Sequence, residues 1–378
     1  MNDTVFDCAI IGGGLAGLTL AIQLAGAGHS VVLFEKEKYP FHKVCGEYVS
    51  MESYDFLERI GIPLSAMNLP MINSVKISSP NGNSLTQKLD SGGFGISRYT
   101  LDTALADLAQ KKGTIVLQET KVTDIKYEND AFTIKTSQNN YLTKIACGTY
   151  GKYTLLDKKL NRNSTYLSIN RKKNYIAVKY HIKTNLPDNQ IALHNFKNGY
   201  CGISKVDDNK YCLCYLSNSK NLRDHNNDIK KMEENVLMKN PFLKKYFTEA
   251  TFLYKHPLTI SQITFSKKSA VESHLLMLGD AAGTIAPLCG NGMSMAMHAS
   301  LKAFQLIDEY LNQNISRQRM EFLYTKQWKL LFSNRIKVGN FIQFLFGKET
   351  LTNIVIGVLK TVPFLTNKLI RLTHGNKF

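Results

Sequence analysis

The sequence predicts an α/β fold in which a parallel sheet, covered by helices, is interrupted by an antiparallel β-rich domain and followed by a helical C-terminal segment. Three observations predict this arrangement. The first 35 residues have a strand–helix–strand pattern, residues 174–217 contain strand-like runs separated by turn signals, and the α/β pattern returns after Leu275. At 378 residues the chain also exceeds the usual size of one hydrophobic core, so we expect at least two domains.

The N-terminal elements follow from apolar runs and the turn residues between them. A buried strand is predicted over 6–11, a helix over 15–27 that ends at Gly28, and a second strand over 30–35. A strand, a helix and a strand in this order form a βαβ unit, which requires a parallel sheet. A hairpin over 75–89 turns at the segment PNGN, and a helix over 101–111 precedes strands in TIVLQET and DAFTIKTS.

The central region changes character. The runs YIAVKYHIKT, QIALHNF, GYCGISKV and KYCLCYLS indicate an antiparallel sheet, and a charged helix over 221–239 is expected to stop at Pro241. We therefore predict three parts of the chain. They are a discontinuous nucleotide-binding domain (1–74, 98–165 and 262–330), a substrate domain (75–97 and 166–261) and a C-terminal helical segment (331–378).

The net charge of +17 raises the question of an acidic partner. The basic residues are dispersed, and the abundance of Asn and Ile is typical of a compositional bias that also favours Lys. An acidic protein or an anionic membrane surface is the alternative explanation. No helix-turn-helix, zinc-finger or aromatic RNA-binding pattern occurs, so we expect no nucleic-acid partner.

The seven cysteines are scattered and odd in number, and no pair has metal-finger spacing. We expect reduced thiols, a cytoplasmic location and no metal site. The uncharged stretch from Cys8 to Gly28 contains six glycines and a strand–turn–helix pattern, so we do not interpret it as a membrane span.

The first motif, IIGGGLAGLTLA, has the spacing Gly12-x-Gly14-x-x-Gly17. Gly12 allows a tight turn, Gly14 allows close approach of a pyrophosphate, and Gly17 allows the helix to pack against the strand. Phosphates would then lie at the helix N-terminus, where free amides favour negative charge. Glu35 ends the next strand, where a carboxylate binds a ribose diol. The motif predicts a Rossmann-type dinucleotide site for either NAD or FAD.

The second motif distinguishes these cofactors. In LLMLGDAAGTIAPLCGNGMSMAMHAS a strand leads to Gly279 and Asp280, and a turn with Pro287 precedes three residues, Gly290 to Gly292, that open a long helix. An aspartate at a strand end suits a hydroxyl-rich chain. A second helix N-terminus would stabilise the negative charge of a reduced flavin.

With these motifs the sequence resembles the FAD-dependent oxidoreductases related to aromatic hydroxylases (p-hydroxybenzoate hydroxylase-like) and geranylgeranyl reductases, over about residues 5–310. The segment SRYTLD around Arg98 is part of the resemblance. The resemblance implies FAD as the cofactor and NAD(P)H as the electron donor. It assigns FAD contacts to Gly12, Gly14, Leu15, Ala16, Gly17, Glu35, Lys36, Cys45, Gly46, Arg98, Val122, Gly148, Gly279, Asp280, Pro287, Gly290, Asn291, Gly292 and Met293.

The sequence departs from the family in two places. Hydroxylases often carry an Asp-Gly pair in a middle motif, and the corresponding stretch here has Tyr150 before Gly151. This leaves the electron donor and its site open. Related tryptophan halogenases use a Trp-x-Trp-x-Ile-Pro motif, whereas this chain has a single tryptophan, Trp328, which disfavours that type of halogenation. A catalytic role for a lysine such as Lys43 or Lys205 is left open by this argument.

Cys45 lies in a CGE loop similar to the loop that lies beside the flavin in the reductases of this family. Three roles are open for it: a small packing residue, a residue that shapes flavin or substrate geometry, or a catalytic proton donor or thiolate. The segment NGYCGISKV resembles a family segment near the active cavity. His194, Tyr200 and Cys201 are therefore candidates for the substrate pocket, with core packing as the alternative.

The segment from Leu301 to Phe378 contains 12 Lys and Arg against four acids and is also apolar. It is a candidate for covering the substrate tunnel, for peripheral membrane contact, or for docking an acidic acyl carrier protein. Pro363 and the regularly spaced lysines disfavour a full membrane span.

Three functions are open. The resemblance favours an NAD(P)H-dependent monooxygenase that hydroxylates an apolar or aromatic substrate through a flavin C4a-hydroperoxide. The alternative is an ene-reductase or dehydrogenase for isoprenoid or acyl chains, in which Cys45 supplies a proton. A non-catalytic electron-carrier flavoprotein is the third, and the complete substrate domain argues against it.

Overall fold

The computed structural model describes residues 5–152, 155–160, 162, 174–263, 265, 268–346, 348–361 and 363–378. The strands are β1 (Val5–Ile11), β2 (Val31–Phe34), β3 (Tyr48–Ser50), β4 (Met71–Ser78), β5 (Ser84–Gly95), β6 (Ile115–Leu117), β7 (Val122–Glu128), β8 (Ala131–Thr136), β9 (Asn140–Gly148), β10 (Tyr175–Lys183), β11 (Gln190–Phe196), β12 (Gly199–Val206), β13 (Lys210–Asn218), β14 (Thr251–Phe252), β15 (Leu258–Ile263), β16 (Val271–Glu272) and β17 (Leu275–Met277).

The α-helices are α1 (Leu15–Gly26), α2 (Tyr54–Ile60), α3 (Arg98–Lys111), α4 (Leu155–Lys159), α5 (Ser219–Arg223), α6 (Ile229–Asn235), α7 (Pro241–Glu249), α8 (Gly292–Leu311), α9 (Arg317–Phe346), α10 (Glu349–Thr361) and α11 (Pro363–Thr373). Short 3-10 turns occur at 51–53, 64–66, 237–239, 279–281 and 287–289.

The first sheet has the strand order β16-β17-β9-β1-β2-β6, and the hairpin of β7 and β8 extends from β9. Strands β17, β9, β1, β2 and β6 run parallel. Helices α1, α3 and α8 pack together beside it. Strands β1, β2 and β17 are apolar and almost entirely buried, as expected where a parallel sheet is covered by helices. The predicted α/β fold is confirmed.

The second sheet has the order β14-β10-β13-β12-β11-β4-β5-β3, with β15 beside β10. It differs from the prediction in one respect, because β11 and β4 pair in parallel while the other neighbours are antiparallel. These two strands are far apart in the sequence, so no hairpin fixes their relative direction. Strand β3 belongs to this sheet although it precedes residue 75, and residues 163–173 at a predicted domain boundary lie outside the described residues. The division into domains stays a prediction.

Between residues 219 and 249 the structure differs from the single helix predicted over 221–239. Two short helices, α5 and α6, and a 3-10 turn replace it, and Pro241 begins α7 instead of only ending a helix. Asn240 caps α7, since its side chain accepts a hydrogen bond from the amide of Phe242 at 2.9 Å. Proline is favourable at the first helical position because its missing N–H has no partner there in any case.

The C-terminal helices α9, α10 and α11 pack on one another, and α10 and α11 also pack on β5. Ile342, Ile356 and Leu359 are buried and form a small core with Leu85 of the second sheet. Further along the chain, the ring of Phe378 stacks on His298 at 4.3 Å between ring centroids. The segment therefore contributes to the hydrophobic core.

Within the described residues, no single helix is long and apolar enough to cross a bilayer. One pair, 317–345 with 350–361, meets that test only when combined, and its two parts are bent by 111°.

We expect truncation of Ile356 to destabilise the protein. This side chain is fully buried, so Ile356→Ala should lower the free energy of unfolding by about 3 kcal/mol through lost burial and a residual cavity. Ile354, two residues away on the same helix, is 59% exposed, and Ile354→Ala should change it by less than about 0.5 kcal/mol. Chemical denaturation of both variants provides the test, and equal stabilities would contradict the packing of α10.

Candidate active site

The glycine-rich turn between β1 and α1 forms one end of the candidate site. Gly12 has φ of +111°, and a Cβ there would lie 2.7 Å from the backbone oxygen of Thr149. A Cβ on Gly17 would collide with the backbone oxygen of Gly12. A Cβ on Gly14 would meet only the Arg98 guanidinium, at 3.9 Å. Gly12 and Gly17 are therefore required by packing, whereas Gly14 borders open space that suits an approaching pyrophosphate.

The N-terminus of α1 borders this space. Gly14 is its N-cap in an extended conformation, no side chain caps it, and its first turn carries no acid. The Glu35 carboxylate accepts a hydrogen bond from the amide of Gly13 at 2.9 Å, and the Tyr39 hydroxyl donates to the Gly13 carbonyl. These bonds hold the predicted ribose-binding carboxylate beside the turn, as an adenosine ribose would require.

Two cations lie at the same turn. Arg98 donates to Asp102 at 2.7 Å, and Lys43 lies 3.0 Å from Asp102 and donates to the Gly13 carbonyl at 3.3 Å. Burial alone would raise the pKa of Asp102, but the charges of Arg98 and Lys43 outweigh it and lower that pKa below its ordinary value. Lys43 also lies 4.0 Å from the Glu35 carboxylate, so the two cations and the two carboxylates form one charge network beside the turn. Sequence reasoning identified Arg98 but did not place Lys43 in this network.

The second glycine cluster forms the other end of the site. Gly279 and Gly290 have φ of +59° and +65°, which glycine adopts without strain. Asn291 precedes α8 without capping it. Its amide group donates to Glu52 at 2.9 Å and to the Thr373 carbonyl at 2.8 Å, while its buried side-chain oxygen has no partner among the described residues. An unpartnered buried acceptor beside free helix amides fits the polar edge of a flavin pyrimidine ring.

The loop that contains Cys45 lies against this cluster. The Cys45 sulfur is 3.7 Å from the thioether sulfur of Met293, in the first turn of α8. The thiol of Cys212 donates to the Cys45 carbonyl at 3.2 Å, which ties the loop to strand β13. The loop predicted to lie beside the flavin is thus in contact with the predicted flavin-binding helix and with the second sheet.

Glu47, two residues after Cys45, forms a buried charge cluster that sequence reasoning missed. Its carboxylate is fully buried and is bonded by the Lys179 ammonium group, by Nε2 of His181 at 2.7 Å and by the amide of Arg98 at 2.8 Å. Burial would raise the pKa of Glu47, but the hydrogen bond from His181 and the charge of Lys179 lower it below its ordinary value.

The backbone of Glu47 is also unusual, with φ of +56°, a conformation that costs energy for a residue with a side chain. The three bonds to its carboxylate hold it there. Glu47 therefore joins the Cys45 loop, the start of α3 and strand β10 in one rigid arrangement. The only sequence signal was a lysine and a histidine inside the otherwise apolar run of β10.

Glu47, His181 and Cys212 also have the geometry of a metal cluster, since one donor atom from each lies within 4.8 Å of the others. Their chemistry does not suit a cation. The Lys179 ammonium group already pairs with the carboxylate, and burial raises the pKa of the Cys212 thiol well above its usual range, so it stays protonated. We assign the cluster a positioning role.

The structure separates the predicted pocket residues. His194 is fully buried, bonded to Ser78 at 2.8 Å and stacked on Phe242 at 4.9 Å, and burial lowers its pKa to about 3. Cys201 lies in the same core beneath α6 and α7. Tyr200 is buried on the opposite face of the sheet, in a cluster that includes part of the Cys45 loop. Of the three, only Tyr200 lies on the face of the sheet that packs against the Cys45 loop.

An apolar cavity of about 100 Å³ lies between the second sheet and the C-terminal helices. Gly290 and Tyr48 form its wall toward the predicted flavin site. It is lined by Tyr48, Val75, Ile77, Leu89, Ile191, Leu193, Leu288, Cys289, Gly290, Ile342, Leu359, Thr366, Leu369, Ile370, Thr373 and His374. On β11, Ile191 and Leu193 face the cavity, whereas the predicted pocket residue His194 faces the core. The residue predicted from the sequence is therefore displaced by one position along the strand from Leu193.

The remaining assigned residues lie around the first sheet. Gly148 ends β9 beside Ile11 of β1, and Val122 is buried at the start of β7. Lys36 is exposed, and Asp280 lies in the 279–281 turn. The alternative catalytic lysine, Lys205, pairs with Asp188 at 2.6 Å. The individual cofactor contacts stay predictions.

Comparison with known proteins supports a flavoprotein. The family described as FAD dependent oxidoreductase matches residues 7–43, which include the glycine turn and Glu35. "Conditioned medium factor receptor 1" of Dictyostelium discoideum is 24% identical over 89% of this chain and 70% of its own length. "Digeranylgeranylglycerophospholipid reductase 1" of Methanococcoides burtonii is 24% identical over 97% of this chain and 90% of its own. "Kynurenine 3-monooxygenase" of Flavobacterium johnsoniae is 21% identical over 81% and 74%.

Two solved structures share the fold. A geranylgeranyl bacteriochlorophyll reductase-like protein from Thermoplasma acidophilum has a TM-score of 0.79 at 17% identity, covering 99% of this chain and 96% of its own. The flavin-dependent brominase Bmp2 has a TM-score of 0.78 at 18% identity, covering 98% of this chain and 93% of its own.

The glycine turn gives a direct test of flavin binding. We expect Gly17→Ala to abolish retention of FAD, because the added methyl group would collide with the Gly12 carbonyl and push α1 away from β1. Gly26 at the end of the same helix has nothing within 4 Å of a Cβ, so Gly26→Ala should retain FAD and even gain about 0.5 kcal/mol of stability. Flavin absorbance of the purified variants measures both results. Equal flavin content would contradict the proposed turn.

Proposed function

We propose that this chain is an FAD-dependent oxidoreductase that reduces carbon–carbon double bonds in isoprenoid or acyl chains. Bound FAD would supply a hydride to one carbon of the double bond. The protein must then supply a proton to the other carbon and exclude water from the reacting chain. We propose NAD(P)H as the source of the two electrons.

The observation that carries this proposal is the position of the Cys45 thiol. It lies against Met293 in the first turn of α8, where the flavin pyrimidine is predicted to bind. A thiol can donate a proton to the carbon opposite the one that receives the hydride, which saturates the bond with one hydride and one proton. The proton is then replaced from solvent.

The neighbouring residues support this role. Glu47 and Lys179 fix the loop that carries Cys45, so the thiol has a defined position relative to the helix. The cavity beyond Gly290 has an almost wholly apolar lining, which suits a hydrocarbon chain and offers few groups to bind a charged substrate. The named reductase among the relatives, which covers nearly this whole chain, is consistent with such a substrate.

Hydroxylation with O2 is the second candidate. A dry apolar cavity would also protect a reactive oxygen species, and a relative is named as a monooxygenase. However, the sulfurs of Cys45 and Met293 both lie at the predicted flavin site, and both are readily oxidised. Two oxidisable sulfurs beside the reacting centre favour reduction over oxygen transfer.

The two candidates differ in their need for oxygen. The holoenzyme should be reduced without oxygen and mixed with geranylgeranyl diphosphate and, separately, with an unsaturated digeranylgeranyl glycerolipid. We expect flavin reoxidation and a saturated product, with deuterium at one carbon when the flavin is reduced by a deuterated donor. Turnover that strictly requires O2, with labelled oxygen in the product, would overturn the reductase and establish the hydroxylase.

A further inference from the structure

The C-terminal helices α9, α10 and α11 have two different faces. Their inner residues, such as Ile342 and Leu359, are buried and line the apolar cavity. Their outer faces also carry large apolar side chains, which are exposed. The exposed fractions are 57% for Phe341, 55% for Phe344, 59% for Ile354, 49% for Val358 and 73% for Phe364. Exposed apolar residues concentrated in one region mark a surface that contacts something else.

Spacing places these residues in stripes with lysines. On α9, Lys337, Phe341 and Phe344 follow one another at intervals of four and three residues, and Lys348 continues the series just beyond the helix. On α11, Phe364 and Lys368 are four residues apart. Residues three or four apart lie on one side of a helix. Each stripe therefore presents aromatic and basic side chains together, and we call the combined region the C-terminal surface.

The charge of this region is strongly unbalanced. Residues 331–378 contain seven Lys and Arg but one acid, Glu349. In the part of the chain that the structure describes, Lys337, Lys360 and Lys368 form no ion pair, and the Lys348 ammonium lies over the Phe344 ring at 4.7 Å. Their charge is thus available to an anionic partner.

We propose that the C-terminal surface docks on an anionic lipid bilayer. The phenylalanine, isoleucine and valine side chains enter the boundary between headgroups and acyl chains, and the lysines contact lipid phosphates. The 111° bend between α9 and α10 suits helices that lie on a bilayer better than helices that cross it.

A bilayer explains the composition better than an acidic carrier protein. A carrier would pair with the lysines through carboxylates, but it would need a matching apolar groove for five side chains on three helices. A bilayer accepts apolar and basic groups together without a matching shape. The inner faces of the same helices line the cavity. Docking would therefore bring the cavity close to the long apolar chains of the membrane lipids. This last step rests on the proposed function, whereas the docking does not.

The test uses the full-length holoprotein and vesicles without substrate. Co-sedimentation should be measured with vesicles of phosphatidylcholine alone and of equal parts phosphatidylcholine and phosphatidylglycerol. We expect binding to the anionic vesicles, weakened by high salt. The variant Lys337→Glu/Lys348→Glu/Lys360→Glu/Lys368→Glu should bind at least about tenfold more weakly. The variant Phe341→Ser/Phe344→Ser/Phe364→Ser should also bind more weakly, which simple charge attraction would not explain.

A matched control reverses four exposed lysines elsewhere, with Lys111→Glu/Lys112→Glu/Lys121→Glu/Lys126→Glu. It has the same net charge as the first variant and should keep vesicle binding. Flavin absorbance and thermal unfolding check that each variant is folded, and Lys360→Glu/Lys368→Glu replaces the fourfold variant if that does not fold. Absence of binding to anionic vesicles, equal loss in the control, or binding to an acidic acyl carrier protein in place of vesicles would overturn the proposal.

Discussion

Replacing Cys45 by serine should lower the rate of double-bond reduction by about 100-fold, the scale at which a positioned proton donor contributes. The hydroxyl is a much weaker acid than the thiol, whereas its size is similar, so FAD should be retained. Flavin reduction by NAD(P)H should continue, because that step needs no proton from this position. The measurement is single-turnover reoxidation of the reduced flavin by the unsaturated substrate.

Cys214 provides the matched control. It is another half-buried thiol, on β13 of the second sheet. Cys214→Ser should retain at least about half of the wild-type rate, as expected for a change outside the reacting groups. If Cys45→Ser turns over at the wild-type rate, the thiol is a packing residue and the reductase proposal loses its main support.

Replacing Glu47 by glutamine should give the largest loss of stability, about 3 kcal/mol or more, because it leaves the charged Lys179 buried without its partner. The double variant Glu47→Gln/Lys179→Met removes both charges and should recover much of that loss. Asp188→Asn serves as the control: Asp188 pairs with Lys205, but its side chain is 65% exposed, and we expect a change below about 1 kcal/mol. Urea denaturation with retained FAD measures all three variants.

The same carboxylate should make stability depend on pH. The pKa of Glu47 is lower in the folded protein than its ordinary value of 4.5, so its stabilising contribution is fully present above pH 4.5. It is lost as the pH falls through the lower folded-state pKa. Wild-type protein should therefore lose stability below pH 4.5 more steeply than Glu47→Gln/Lys179→Met. Parallel pH profiles of the two proteins would show that Glu47 is not the group responsible.

Local physics explains why the cofactor turn could be predicted from sequence. Gly12, Gly14 and Gly17 lie within one strand–turn–helix unit, and Glu35 lies at the end of the next strand, so spacing alone brings them together. The α/β class followed from apolar periodicity in the same way. The N-terminal helix was predicted to within a residue or two, since glycines mark both of its ends.

The substrate side could not be predicted in this way. Strands β10 to β13 are mostly buried on both faces, so an alternation of apolar and polar residues does not tell which face points to the predicted flavin site. For this reason His194 and Cys201 were candidates for the pocket although they lie in the core beneath α7, while Leu193 faces the cavity.

The fold class, the dinucleotide turn and the position of Cys45 in a loop after the second strand could all be predicted from local sequence patterns. The groups that surround that loop are known only from the folded chain. Glu47 meets Lys179 and His181 across 132 and 134 residues of chain, and the cavity joins the second sheet to the C-terminal helices. Such contacts depend on how strands pair and helices pack, and no local pattern of residues encodes them.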